Sequence, residues 1–401
     1  MERQRSARAV TIGAPSFVAL MLGHAAQGLT FTAFTPALAA IAQDFNGSGH
    51  GAIIAQLCVT IASAGVVTGA LVSGWIIARM GLRRTVLFSA VLYGVAGSGG
   101  LFLSDAASLL ASRTLVGFAA ACMVTACIAT IATLYEPHAR ARVIGVSTGV
   151  GSATSLAGLV VGGATAQAFG WRFAFLQYPV LAIPAVLLVL FAFPGVEAAA
   201  REQVETERSA GVTAWSLWPL YLLAMVMTAV MFMGSTQFAF LLPLVGFKTS
   251  GSIGLVMSAI ILLGVVVSLL FGPLERRLGL QGALVAGLAA AALGMVLIGL
   301  VQTPAAAVCG AALMGVYVGV TVPYVHHVVT LRAALSARAR AVGLANAFAF
   351  AGALINPFVF APLIASVGVQ GLFVVVGVAM AALAAGALTL RLRIRALAPA
   401  E

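Results

Sequence analysis

The sequence predicts an all-α polytopic membrane protein. Twelve spanning helices are expected in two pseudo-symmetric six-helix bundles, with both termini cytoplasmic. Three observations carry that expectation. Of 401 residues, 62 % are hydrophobic and 8 % are charged, against about 25 % charged in ordinary soluble domains; mean hydropathy is +1.12. The 31 charged side chains are too few to cover a soluble protein of this size. The apolar residues also run in long blocks and do not alternate, which excludes a membrane β-barrel. Finally, the two halves of the chain repeat each other.

A spanning helix needs about 20 apolar residues. Walking the chain gives twelve such blocks, at 13–41, 52–78, 85–103, 107–134, 143–168, 173–193, 216–242, 252–274, 281–301, 305–330, 342–366 and 370–390. The first follows a basic N-terminus, Met1 to Arg8, and carries Pro15, His24, Gln27 and Pro36 with no clear cleavage site. It therefore reads as a spanning helix and not as a cleaved signal peptide. The long interior connection, 194–214, begins Pro194-Gly195 and holds Glu197, Arg201, Glu202, Glu205, Glu207 and Arg208. It reads as a cytoplasmic linker between an N-terminal bundle, 1–193, and a C-terminal bundle, 215–401.

Charge sets the orientation. With the N-terminus inside, 18 of the 21 basic residues fall in inner segments; Arg172 and Lys248 lie outside and Arg113 lies within a helix. In a membrane protein this accounts for the net charge of +11 without a nucleic-acid partner. The four cysteines, Cys58, Cys122, Cys127 and Cys309, sit in apolar blocks with no C-x-x-C pair and read as packing residues. An offset of 198 residues maps Gly74 onto Gly272, Arg79 onto Arg277, Gly81 onto Gly279, Gly117 onto Gly315, Arg140 and Arg142 onto Arg338 and Arg340, and Gly170 onto Gly368. Both copies have six helices and start on the same side. The repeat is parallel, which places a ligand site between the halves near the midplane.

The motifs carry a family resemblance. Residues 74–84 read GWIIARMGLRR, with Gly74, Arg79, Gly81, Arg83 and Arg84. This resembles the signature loop G-x-L-a-D-R-x-G-R-R of the major facilitator superfamily, with Ala78 in the usual Asp position. The glycines would allow a tight turn between packed helices, and the arginines would cap helix C-termini. The second copy keeps Gly272, Arg277 and Gly279. Helix 4 carries Arg113 and Gly117, resembling l-x-x-x-R-x-x-q-G with Val116 in the Gln position. Helix 5 carries Gly158, Gly162 and Gly163, resembling the antiporter signature G-P-x-x-G-G of the twelve-helix drug–proton antiporter branch, with Leu159 in place of the Pro.

The resemblance implies a central cavity lined chiefly by helices 1, 4, 7 and 10. Candidate substrate or coupling residues are Arg113, His24, Gln27, Gln237, Tyr317, Tyr324, Asn346 and Asn356. Inserting an arginine within a helix costs about 2.5–3.5 kcal/mol, so Arg113 must face the bundle interior or an aqueous cavity; packing helix 4 is the alternative. His24 could titrate near neutral pH or be a satisfied core residue. The Met- and Phe-rich seventh block reads as core or lipid-facing, or as an adaptable ligand surface. None of the ten acidic residues falls in the middle of a block, so the cavity is expected to favour neutral, amphiphilic or anionic ligands.

The resulting expectation is a multi-pass inner-membrane secondary transporter of the efflux type. It would work as a monomer by alternating access, with a small-molecule substrate, protons as a coupling ion, surrounding lipids, and neither cofactor nor metal. The alternatives are an uptake carrier or facilitator for an organic anion or other small metabolite without proton antiport, using Arg113 as the anion contact, and a non-transporting membrane receptor or scaffold. No nucleophile–base pair, metal cluster or phosphate loop points to an enzyme.

Overall fold

A computed structural model describes residues 13–193, 215–333 and 338–397. The expected linker 194–214 and the basic N-terminus lie outside the described residues, as do the side chains of Arg338 and Arg340.

We number the spanning helices α1 (Ala14–Asp44), α2 (Gly51–Met80), α3 (Leu82–Phe102), α4 (Ala106–Leu134), α5 (Pro137–Phe169), α6 (Trp171–Ala192), α7 (Trp218–Val245), α8 (Ser250–Leu269), α9 (Leu280–Leu300) and α10 (Pro304–Arg332). The remaining helical segment, Arg338–Leu397, is broken at Gly368 (φ 73°, ψ 173°) into α11 (338–367) and α12 (369–397). Eleven described segments are long and apolar enough to cross a membrane. The last of them is 49 residues long, about 74 Å if straight, more than twice the roughly 30 Å of bilayer hydrocarbon. The break at Gly368 is the whole difference between these eleven segments and the twelve expected blocks.

Local chemistry explains where the helices stop. At Gly81 (φ 81°) and its repeat partner Gly279 (φ 73°) the chain enters a backbone region that side chains with a Cβ rarely adopt, and it turns sharply between α2 and α3 and between α8 and α9. Gly74 and Gly272, in contrast, have open space where a Cβ would stand. The tight packing expected of them is therefore not seen, and the turn rests on the later glycine of each copy. Gly170 (φ 95°) and Gly368 (φ 73°) form a third matched pair. Asp105 and Thr303 cap the starts of α4 and α10, accepting from the backbone N–H of Ser108 and Ala306.

Packing repeats as well. An added Cβ on Gly117 of α4 would stand 1.9 Å from the Ala62 carbonyl oxygen of α2; on Gly315 of α10 it would stand 2.8 Å from that of Ile260 in α8, the same pair moved by one repeat. Likewise α1 packs on α5 as α7 packs on α11, and α3 on α6 as α9 on α12. Between the halves, α5 packs on α8 and α2 on α11, which is again one contact and its repeat.

Candidate functional site

A cavity of about 160 Å³ lies between the two halves. The first half supplies Phe31, Thr32 and Thr35 of α1, Val59 of α2 and Leu159 of α5. The second supplies Met231, Phe232 and Ser235 of α7, Met257, Ile260 and Ile261 of α8, and Val318 of α10. None of these twelve side chains is ionisable. The three hydroxyls are turned back onto their own helices: Thr32 donates to Gly28, Thr35 to Phe31 and Ser235 to Met231. What faces the space is hydrocarbon, thioether and aromatic ring.

The cavity is closed on the side opposite the signature loops. There the glycines of α5 allow near-contact of backbones. A Cβ on Gly162 would stand 1.8 Å from the Ala33 carbonyl oxygen of α1, and one on Gly163 would stand 2.5 Å from the Ser250 carbonyl oxygen of α8. From the other direction, a Cβ on Gly254 of α8 would reach the Leu159 carbonyl oxygen at 2.4 Å. Gly158 packs against Thr32. Towards the signature loops, Gly145 and Gly149 of α5 and Gly343 of α11 have open space beside them. The halves thus meet at one end of the spans and part at the other.

Arg113 is outside the cavity lining. It is 1 % exposed and enclosed within the first half. Its Nη2 donates to the carbonyl oxygens of Ala96 and Gly97, both at 3.0 Å, and its Nε to Ser112 at 3.4 Å. Its guanidinium carbon lies 4.7 Å from the Phe175 ring centre, 4.8 Å from that of Tyr178 and 5.7 Å from that of Phe34. Local backbone explains the first pair of bonds. Near Gly97 α3 breaks its regular pattern, and the Leu101 N–H that would serve Gly97 bonds to Ser98 instead. The guanidinium takes the freed carbonyl and meets the negative end of a helix segment.

The other expected polar residues also lie outside the lining. His24 Nδ1 shares a 2.8 Å hydrogen bond with Ser147 of α5, and Gly28 lies against Gly151. His24 and Gly28 of α1 therefore look at α5, and the α1 residues that border the cavity are Phe31, Thr32 and Thr35. Gln27 is half-buried and lies outside the lining. Tyr317 donates to the Met227 carbonyl of α7 at 2.8 Å, and Asn356 to that of Ala229 at 2.7 Å. Gln237 is fully buried outside the lining, and neither its Nε2 nor its Oε1 has a hydrogen-bond partner. Tyr324 packs with Phe271 and Val328, and Asn346 pairs with His326 at 3.0 Å.

In the signature loop Arg83 donates to the Val189 and Leu190 carbonyls at the end of α6, at 3.3 and 2.5 Å. Arg140 does the same for α4 through Ala132 and Tyr135. Arg79 stacks 4.4 Å from the centre of the Trp75 ring; Arg84 and Arg277 are exposed. Sequence reasoning missed Phe31, Val59, Met257, Ile260, Ile261 and Val318 as lining. Met231 and Phe232 belong to the Met- and Phe-rich seventh block, for which an adaptable ligand surface is one of the two readings. The available signal was position alone, since Phe31 and Phe232 fall near the middle of the first and seventh blocks.

Helical spans repeated in two halves around a shared mid-membrane cavity define a multi-pass membrane transporter. The sequence profile of the Major Facilitator Superfamily matches residues 20–334, and the chain belongs to that family. The methyl viologen resistance protein SmvA of Salmonella typhimurium (strain LT2) is 34 % identical over 113 residues, which is 28 % of this chain and 22 % of SmvA. The MFS-type transporter Rv1250 of Mycobacterium tuberculosis is 28 % identical over 153 residues, 36 % of this chain and 26 % of Rv1250. The chain thus matches about a quarter of the length of these relatives. Solved structures share the fold. The nucleoside transporter NupG has a TM-score of 0.69 at 12 % identity and covers 94 % of this chain and 98 % of its own. An auto-inhibited POT family peptide transporter has a TM-score of 0.71 at 14 % identity, covering 96 % and 98 %.

Proposed function

We propose that this transporter exports an uncharged, apolar or amphiphilic small molecule by alternating access between the two halves. The single observation that carries this reading is the inter-half cavity, which has no ionisable side chain in its lining. A charged ligand there would lose its hydration with no counter-charge to replace it, a cost of several kcal/mol or more. The resistance named for SmvA supports the outward direction. The positive-inside distribution of arginine supports placing the open end at the cytoplasm of the inner membrane. His24, two turns before Phe31 on α1 and bonded to Ser147, is the proposed proton-coupling group.

Everted vesicles with an imposed pH gradient test this reading. Uphill accumulation of a neutral hydrophobic tracer that collapses with the gradient is expected. Simple equilibration would instead identify a facilitator, and gradient-driven accumulation of cations alone would overturn the substrate class.

A further inference from the structure

Phe31 holds a position in the cavity that no other lining side chain shares. Its ring borders the space and also meets two rings from the opposite half: Phe232 of α7 edge-on, with centroids 5.3 Å apart at 84°, and Phe350 of α11 near-parallel, at 5.8 Å and 17°. Both separations lie in the range of attractive aromatic pairs. Phe350 belongs to the half of α11 that leads towards Gly343, where the halves part. The Phe31–Phe350 pair therefore stands between the cavity and the open end. Because the lining hydroxyls donate to their own helices, they offer a ligand acceptor lone pairs only, and recognition rests chiefly on dispersion and on ring faces.

The geometry points to Phe31 as the specificity-determining residue of this transporter, selecting flat aromatic ligands by stacking them in the place of the Phe350 ring. The inference rests on the cavity being the substrate site. A ligand entering from the open end must part Phe31 from Phe350, and a planar ring restores the lost ring contact, whereas a saturated molecule of equal size cannot.

Thermal unfolding of the purified full chain, followed by tryptophan fluorescence, tests this with three probes: naphthalene-2-carboxamide, its decahydro analogue and methyl viologen. A ligand that binds only the folded state raises the midpoint. The wild type is expected to bind the aromatic amide about two- to tenfold more tightly than the saturated one. Phe31→Leu keeps the bulk and apolarity, and it should bind both amides with a ratio near one. A Phe31→Leu protein that keeps the wild-type ratio overturns the role of Phe31 while leaving the cavity reading intact. A wild type stabilised by methyl viologen and by neither amide overturns the uncharged-ligand reading of the cavity, and the inference falls with it. Phe31→Tyr retains a ring face and should retain the preference; its loss there would also refute selection by stacking.

Discussion

Replacing Arg113 by alanine should destabilise the first half, and the size of the effect follows from its surroundings. The side chain makes two charge-assisted bonds to Ala96 and Gly97 at 3.0 Å, worth about 1.5–3 kcal/mol each. It adds cation–π contact with Phe175 and Tyr178 at under 5 Å, about 2 kcal/mol when desolvated. Against this stands an insertion cost of about 2.5–3.5 kcal/mol for an arginine at a helix centre. The balance is a loss of about 2–5 kcal/mol on Arg113→Ala. Hydrogen bonds between membrane helices average only about 0.6 kcal/mol, which would make the substitution neutral. The argument for the larger value is that the Gly97 carbonyl has lost its intrahelical partner. Arg113→Lys should fall between, because an ammonium can serve the two carbonyls from one nitrogen, as Nη2 does, but lacks the planar guanidinium that stacks across the rings. Unfolding midpoints in detergent would be measured beside tracer transport in vesicles. An Arg113→Ala protein that unfolds at the wild-type temperature but no longer transports would refute this balance and return Arg113 to the transport pathway.

Three further outcomes are expected. Gly162→Ala drives a methyl group against the Ala33 carbonyl oxygen at 1.8 Å and crowds the Gln177 amide that bonds to it; a loss of about 1–3 kcal/mol should appear as a lower unfolding midpoint, and an unchanged midpoint would mean that α1 and α5 separate freely. Tyr317→Phe strips the donor from the buried Met227 carbonyl and should cost about 0.5–1.5 kcal/mol with little effect on ligand binding, since the ring is outside the cavity lining; a large change in tracer affinity would count against that placement. His24→Gln keeps a donor for Ser147 but cannot titrate, so the pH profile of tracer export should flatten, and an unaltered profile would remove His24 from coupling.

The fold was readable because its causes are written in residue type and spacing. The offset that joins Gly81 to Gly279 and Gly170 to Gly368 on paper joins the same backbone geometry in space. The Gly117–Ala62 contact recurs as Gly315–Ile260. The cavity was not readable by the same route. Polar residues mark a cavity only on the premise that a polar group in a membrane needs water or a ligand. For several of them in this chain neighbouring backbone meets that need, whereas Gln237 stays buried without a partner. Tyr93 and Tyr178 donate to the Ala26 and Thr30 carbonyls of α1, and Tyr317 and Asn356 serve α7 in the same manner. A side chain bonded in this way leaves no trace in a sequence that separates it from a ligand contact. Phe31 and Ile260, which do line the space, look like any core or lipid-facing residue.

Those backbone clamps bear on how the two halves move. α1 is interrupted, and α7 ended, by a 3-10 turn carrying a proline, Pro36 and Pro243, so each has carbonyls that a regular helix would not leave free. Gln177 takes the Ala33 carbonyl at 2.9 Å, in the turn where Ala37 bonds to Phe34 instead. Such bonds tie each cavity helix to its own half. Among the described residues the acid–base contacts are likewise internal, an ion pair of Arg172 with Asp44 in the first half and His327 beside Glu275 in the second. The contacts described between halves are of another kind: close backbone approach at Gly163 and Gly254 and ring contact at Phe31. Dispersion contacts carry little directional penalty when broken and remade, whereas a buried ion pair across the same interface would leave an uncompensated charge each time the halves parted. Directional bonds within each half and non-directional contacts between them favour rocking of two bodies over bending within either. On this argument, a carboxylate placed at Leu159 would impair transport of neutral substrates even where it attracted a cation.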